Sequence, residues 1–402
     1  MTASGPLGVS GHRPAAEPLA VILSGGGTGG HLYPALALAD AITARRPDVV
    51  PFFVGSERGL EARVLPARGV PHHLLRVEGF QRGGGSGVGR LVANVRVAGR
   101  LVGAMTELAR YFGSLRPALV VVTGGYAGGP AGILAMLLGV PLVLQEQNSV
   151  PGVTTRLLSL RARQIHLAFP EARGRLPRVA RSRSRITGNP VRPPEAVDLV
   201  AARAMFNLDP EHPVVLVVGG SQGSRALNEA VLEMVTAVMP GGLPGGAQLL
   251  WATGPSHIGQ VRSALEAVGN PAWVRPVGYI DAMPMALALA EIAVSRAGAM
   301  GTSEFLAWGV PSILVPLPTA AADHQAANAR ALAEAGAASL IPEAELTGAE
   351  LAETLRALLG DPMALAGMAA AARLRGRPSA AVDIADQVAE LLPPPWPRSV
   401  AS

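Results

Sequence analysis

Three glycine-rich loops carry most of the groups in this chain that can do chemistry. "GGTGGH" (Gly26 to His31) ends in an imidazole, "GGSQGS" (Gly219 to Ser224) offers Ser221 and Gln222, and "RAGAMGTSE" (Arg296 to Glu304) ends in a carboxylate. Each leads into an apolar pattern of helical period, so bare backbone N–H groups stand at the positive end of a helix, where anionic oxygens bind. Arg192, in "GNPVR", and Ser221 add a guanidinium fork and a hydroxyl suited to phosphate oxygens. A diphosphate fits these donors. His31 and Glu146, the latter in "LQEQN", are the candidate general bases, each in a loop at a strand end. Both also have structural readings: the histidine can orient its loop, and Glu146 can bind sugar hydroxyls.

Several chemistries fall away. The 402 residues contain no lysine, so the formal net charge of +5 rests on arginine alone. Without lysine there is neither a Schiff-base nucleophile nor a phosphate-loop lysine, and without cysteine there is no thiol nucleophile or zinc ribbon. No Asp-x-Asp pair and no His-x-x-x-His spacing occurs, so no metal and no cofactor is expected, and donors and helix ends must neutralise the diphosphate. Gly25, Gly27 and Gly30 formally satisfy the dinucleotide fingerprint. The acid that should follow about 20 residues later to hold a ribose is missing, because Glu57 lies beyond the second strand.

Elements of an α/β chain must position these loops. Val21 to Leu23 and Val49 to Val54 read as strands around a helix from Tyr33 to Arg45. "ALVVVTGGYAGGP" (Ala118 to Pro130) and "VPLVLQEQN" (Val140 to Asn148) repeat the pattern as strand, glycine loop, buried helix and strand. The uncharged stretch Ala118 to Leu144 is long enough to resemble a membrane span, but its glycines and Pro130 argue for that parse instead. After the proline-rich linker "ITGNPVRPPE" (Ile186 to Glu195) the pattern restarts at "PVVLVVGGSQG". His72 and His73, adjacent in a strand, point to opposite faces. The expectation is a loose tail over residues 1–18, then two doubly wound parallel-sheet domains, 19–190 and 191–377, facing each other across a cleft. A last helix, about 378–395, is expected to pack back on the first domain.

Taken together, the motifs resemble glycosyltransferase family 28. "GGTGGH", "TGGY" (Thr123 to Tyr126), "EQN" (Glu146 to Asn148), "GNPVR" (Gly188 to Arg192), "GGSQG", "YID" (Tyr279 to Asp281), "GTSE" (Gly301 to Glu304) and "HQAANA" (His324 to Ala329) follow one another in register over nearly the whole chain. The resemblance implies a GT-B fold of two Rossmann-like halves and an inverting transfer of N-acetylglucosamine from UDP-N-acetylglucosamine to an undecaprenyl-linked muramyl-pentapeptide. It implies further that the Ile280 backbone meets uracil and Glu304 the ribose hydroxyls. The diphosphate falls to Ser221, Gln222, Arg192 and the turn of Ala299, Met300, Gly301, Thr302 and Ser303. Gln325 and Asn148 then contact the donor sugar, with Thr28, Gly29 and Gly30 on the acceptor side. Two departures stand out: Gln145 where the family has histidine, and a loop from Ala297 to Gly301 that lacks a hydroxyl.

A lipid acceptor places the enzyme at the cytoplasmic face of the membrane, as a peripheral protein on an anionic surface. Two basic stretches suit that surface: "ARGRLPRVARSRSR" (Ala172 to Arg185), and "GRLVANVRVAGRLVGAM" (Gly89 to Met105), where Leu91, Val95, Val102 and Met105 share a helical face. Nucleic acid is not expected, since no aromatic platform accompanies the arginines. The alternatives are a UDP-N-acetylglucosamine 2-epimerase, a transferase of the same fold with another lipid acceptor, and a sugar-nucleotide sensor without turnover.

Overall fold

The first strand, β1 (Leu19–Gly25), is buried along nearly its whole length, and its run "LAVILSG" has no polar alternation. Such a strand belongs inside a parallel sheet covered on both faces. The computed structural model of the chain, which describes residues 18–77, 103–239, 241–320 and 323–394, contains that sheet. With β2 (Val49–Ser56), β3 (His72–Leu75), β4 (Leu119–Gly124), β5 (Leu142–Glu146), β6 (Gln164–Leu167) and β7 (Ser184–Ile186), β1 forms seven parallel strands in the order β3-β2-β1-β4-β5-β6-β7. A second sheet has six parallel strands in the order β10-β9-β8-β11-β12-β13. These are β8 (Val214–Val218), β9 (Gln248–Ala252), β10 (Val274–Val277), β11 (Ala290–Ser295), β12 (Ser312–Leu314) and β13 (Ala338–Leu340).

The order reverses between β1 and β4 and again between β8 and β11. Ligands of open parallel sheets sit beyond the carboxyl ends of the strands at that reversal. "GGTGGH", "TGGY", "GGSQG" and "RAGAM" occupy those four strand ends.

Helices cover both sheets. Leu32, Leu36 and Ile42 of helix Gly29–Arg45 pack on Val21 and Leu23 of β1, and Ile384, Ala385 and Val388 of the last helix, Ala380–Ala389, join the same cluster. The chain thus returns to its first half, and its end buttresses the helix that starts at the site. Full burial of each such side chain favours this packing by about 1.5–3 kcal/mol, whereas the exposed Arg45–Asp386 pair at 2.6 Å adds little.

Two sequence readings change. Helix Gly29–Arg45 begins four residues before the expected Tyr33, so Gly29, Gly30 and His31 form its first turn. The segment "GGYAGGP" is not a loop: helix Gly125–Leu138 starts directly after β4 and contains Pro130. Its glycines serve close packing, since a Cβ on Gly128 would lie 3.2 Å from the Ser24 carbonyl oxygen and one on Gly132 2.3 Å from Leu158. Among the described residues no helix is long and apolar enough to cross a membrane. Of the stretch Gly89 to Met105, residues 89–102 lie outside the described residues. Residues 103–115 are helical, and Met105 packs against the core instead of facing outward.

Candidate active site

His31 is held from both sides of the first sheet's reversal. Its Nδ1 lies 3.0 Å from the Thr123 carbonyl oxygen and 2.9 Å from Gln147 Oε1. Thr123 Oγ1 in turn donates to the His31 carbonyl at 2.7 Å, which fixes the backbone. Two acceptors at Nδ1 require a proton there, so in the neutral ring Nε2 keeps its lone pair. An imidazole with a fixed tautomer and a bare Nε2 is what a general base needs.

Beneath the loop lies an acid that the sequence reading missed. Glu61, fully buried, accepts from the Gly27 N–H at 3.0–3.1 Å and from the Ser56 N–H at 2.9 Å. A Cβ on Gly26 would meet this carboxylate at 2.2 Å, and one on Gly27, whose φ is +89°, would meet the Tyr126 ring at 2.6 Å. The first glycines are therefore bare because the loop is packed on Glu61, Thr123 and Tyr126, and Gly27 has no N–H left for an anion. Only Gly29 and Gly30 leave the first turn open: the Thr28 side chain caps neither, and a Cβ on Gly30 would meet nothing nearer than 3.8 Å. The loop suits sugar hydroxyls better than a diphosphate. Glu57, the acid weighed from the sequence, instead reaches Arg76 at the surface at 3.3 Å. Glu61→Ala leaves two amide donors unpaired, at about 1–3 kcal/mol each. It is expected to lower the thermal midpoint by about 5–20 °C in a melting experiment.

The groups suited to an anion lie in the second half. A cavity of about 230 Å³ lies at the β8–β11 reversal, lined by Ser221, Ile280, Gly298, Gly301 and Glu304 among others. Neither backbone group of Ile280 has a partner among the described residues, so both are open to an amide-like base edge. Helix Ala299–Trp308 begins at Gly298 without a side-chain cap, leaving its first N–H groups for a ligand. Burial pushes the Glu304 carboxyl up to about 7, and the nearby Arg192 guanidinium pulls it back down. Burial also raises the Tyr279 hydroxyl, with smaller contributions from Tyr33, Asp281 and Glu304. Tyr33 stands beside the first loop, so this coupling bridges the two halves.

The fold has known relatives. Residues 21–167 match the glycosyltransferase family 28 N-terminal domain and residues 214–388 the family 28 C-terminal domain. The chain belongs to glycosyltransferase family 28. The family-28 chain is 40% identical over 92% of its length to the UDP-N-acetylglucosamine–N-acetylmuramyl-(pentapeptide) pyrophosphoryl-undecaprenol N-acetylglucosamine transferase of Chlorobium phaeobacteroides, of which it covers 99%. It is 42% identical over 90% to the protein of the same name from Moorella thermoacetica, of which it covers 95%. Among solved structures it resembles Acinetobacter baumannii MurG, at 27% identity, TM-score 0.73, 93% of this chain and 100% of that one. A UDP-N-acetylglucosamine 2-epimerase at 14% identity and TM-score 0.60, covering 92% of this chain and 95% of its own, shares the fold alone.

Not every expected residue of the family-28 enzyme faces the cleft. Glu146 is buried, with Oε1 accepting from the Asn148 N–H at 3.1 Å and Oε2 from the Gly152 N–H at 3.1 Å, so its carboxylate braces the loop after β5. Asn148 Oδ1 accepts from Asn328 Nδ2 at 3.2 Å, and Asn328 Oδ1 accepts from the Ser149 N–H at 2.9 Å. Asn148 and Asn328 thus join the halves. The Thr302 hydroxyl turns back to the Gly298 and Ala299 carbonyls and is spent there, whereas Ser303 Oγ accepts from Asn189 Nδ2 at 2.9 Å and keeps its own O–H to donate. Gln325 Oε1 accepts from the Leu317 N–H at 3.0 Å, which leaves its amide N–H groups to donate. Ser221, Gln222 and Arg192 are exposed. The basic run Ala172 to Arg185 proves largely internal in purpose: Arg173 binds the Ser184 carbonyl, Arg181 the carbonyls of Leu176 and Gly174, and Arg183 those of Ser159 and Leu160.

Proposed function

We propose that the enzyme transfers N-acetylglucosamine from UDP-N-acetylglucosamine to the C4 hydroxyl of the undecaprenyl-diphospho-N-acetylmuramoyl-pentapeptide, with inversion at the anomeric carbon. The observation that carries this reading is the pairing of a cavity of about 230 Å³ with Glu304 in its wall and an imidazole whose free Nε2 stands at the reversal of the opposite sheet. His31 Nε2 takes the hydroxyl proton as O4 attacks C1. The bond from C1 to the diphosphate breaks, and UDP departs with the electron pair. Its charge is met by the amides of Ala299 to Gly301, the Ser221 hydroxyl and Arg192, and such preorganised donors are usually the largest contribution to catalysis. Of the two candidate bases His31 is preferred, because both oxygens of Glu146 are engaged by backbone amides. With the purified protein, UDP release is expected only when the lipid-linked muramyl acceptor is present. Isomerised donor without acceptor would point to an epimerase instead.

The enzyme reaches its lipid acceptor from the cytoplasmic face as a peripheral protein. Leu137 and Leu138 are exposed at the end of helix Gly125–Leu138, which packs on helix Val153–Leu158. Leu157 and Leu160 are exposed in and just after that second helix, with the exposed Arg156, Arg161 and Arg163 among them. Apolar side chains interleaved with arginines suit an anionic bilayer, at about 1 kcal/mol per arginine near the surface. Co-sedimentation with vesicles containing anionic phospholipid is expected at low salt, and Leu157→Asp with Leu160→Asp is expected to weaken it about tenfold or more. Equal binding by wild type and variant would sink this placement.

A further inference from the structure

Behind His31 the buried polar side chains form a single line from the first half into the second. Asn189 is 2% exposed, and its Nδ2 donates to the carbonyls of Ala299 and Gln147 at 3.3 and 3.2 Å and to Ser303 Oγ at 2.9 Å. With the amide nitrogen committed to these acceptors, Asn189 Oδ1 faces Gln145 and accepts from its Nε2 at 2.9 Å. Gln145 Oε1 then meets Gln147 Nε2, which donates also to the Thr123 carbonyl at 2.6 Å and to the Gln145 carbonyl at 3.1 Å. Only an acceptor is left at Gln147 Oε1, and it takes the His31 Nδ1 proton at 2.9 Å. The polarity of every amide is dictated by its neighbour, starting from carbonyls that cannot invert. Gln145 and Gln147 are as buried as Asn189.

We infer that Asn189, Gln145 and Gln147 are positioning residues. Together with the Thr123 carbonyl 3.0 Å from Nδ1, they form an amide relay that holds His31 with its proton on Nδ1 and its Nε2 bare, and that anchors this tautomer on the first turn of helix Ala299–Trp308. The inference deepens the reading of His31 as base and rests on it. Gln145 has a distinct task here: it is the middle amide, and it touches neither His31 nor helix Ala299–Trp308. Other titratable groups surround the imidazole without bonding to it: Glu61 is committed to the Gly27 and Ser56 amides and Glu146 to those of Asn148 and Gly152, while Tyr33 and Tyr126 lie beside the loop.

The test reads the tautomer directly, by nitrogen NMR of the full-length protein labelled with 15N-histidine at pH 8. The His31 signals are identified by their loss in His31→Ala. Wild type is expected to show a protonated Nδ1 and an unprotonated Nε2. Gln147→Met leaves the Thr123 carbonyl as the remaining acceptor at Nδ1, and Gln145→Met removes one of the three acceptors of Gln147 Nε2, so both are expected to raise the fraction of His31 protonated at Nε2, the first more than the second. In both, kcat is expected to fall about tenfold while the KM for UDP-N-acetylglucosamine stays within about twofold, as expected when only the transition state loses an interaction. Retained donor affinity shows that the variants are folded. A protonated Nε2 in wild type, or an unchanged tautomer in both variants, overturns the relay. Full activity in His31→Ala overturns the base assignment instead, and the nitrogen signals then still report whether the relay exists.

Discussion

Replacing His31 with alanine is expected to lower kcat by about 10² to 10⁴, the range that a positioned base contributes, while UDP-N-acetylglucosamine binds nearly as before. The separation follows from the geometry. His31 belongs to the first sheet's reversal and is tied to Thr123 and Gln147, whereas the cavity with Ile280 and Glu304 belongs to the second. Donor binding therefore loses no contact when the imidazole goes, and acceptor deprotonation loses its proton acceptor. Steady-state kinetics at saturating substrates, paired with calorimetry of donor binding, measures both. Glu146→Gln is the informative contrast. Its carboxylate holds two loop amides, so that variant is expected to lose thermal stability and acceptor KM more than kcat. A His31→Ala enzyme within threefold of wild-type kcat would remove the base assignment.

The architecture was legible because strand and loop signals recur. "AVIL", "LVVV", "LVL", "VVLVV" and "IAVS" are buried parallel strands in the sequence and in the structure, and all but "LVL" end at one of the two reversals. Pattern failed where a residue's partner is distant in the chain. Glu61 lies 34 residues from the glycine whose amide it accepts, and nothing local distinguishes it from a surface acid at a helix start. Its best signal is indirect, since Gly26, Gly55 and Gly59 would all collide with its side chain if they carried a Cβ. Glycine in the first loop therefore misled: bareness reads as ligand approach, yet most of it makes room for an internal carboxylate. Hydroxyls misled likewise. Thr302 stands in an anion-binding turn by sequence, but at helical spacing its hydroxyl donates back to the Gly298 carbonyl, while Ser303 Oγ accepts from Asn189. Arginines in the run before β7 read as a basic face for an anionic membrane surface. A guanidinium with five donors is equally able to gather loop carbonyls, and Arg183 does so.

The affinity for UDP-N-acetylglucosamine is expected to depend on pH through Glu304. Its carboxyl titrates at about 7 because burial disfavours the charge more than Arg192 favours it. Ribose hydroxyls are donors, and an ionised carboxylate accepts two of them where the acid accepts fewer and must place its own proton. With Glu304 placed against the ribose, as the family resemblance implies, the donor is expected to select the ionised form and, once bound, to hold the carboxyl below its free value. Affinity is full above about pH 8 and is lost as pH falls through 7, by about tenfold for each unit below it, the limit for one proton expelled on binding. UDP-N-acetylglucosamine is the ligand to use, because free UDP carries a terminal phosphate that itself titrates near 6. Glu304→Gln is expected to bind more weakly at pH 8 and to show no such slope. Glu304→Ala loses both charge-assisted bonds, worth about 1.5–3 kcal/mol each, and so weakens binding by about 100-fold or more. Calorimetry between pH 5.5 and 8.5 reads all three proteins, and a wild-type slope that survives in Glu304→Gln assigns the proton to another group and removes Glu304 from the ribose.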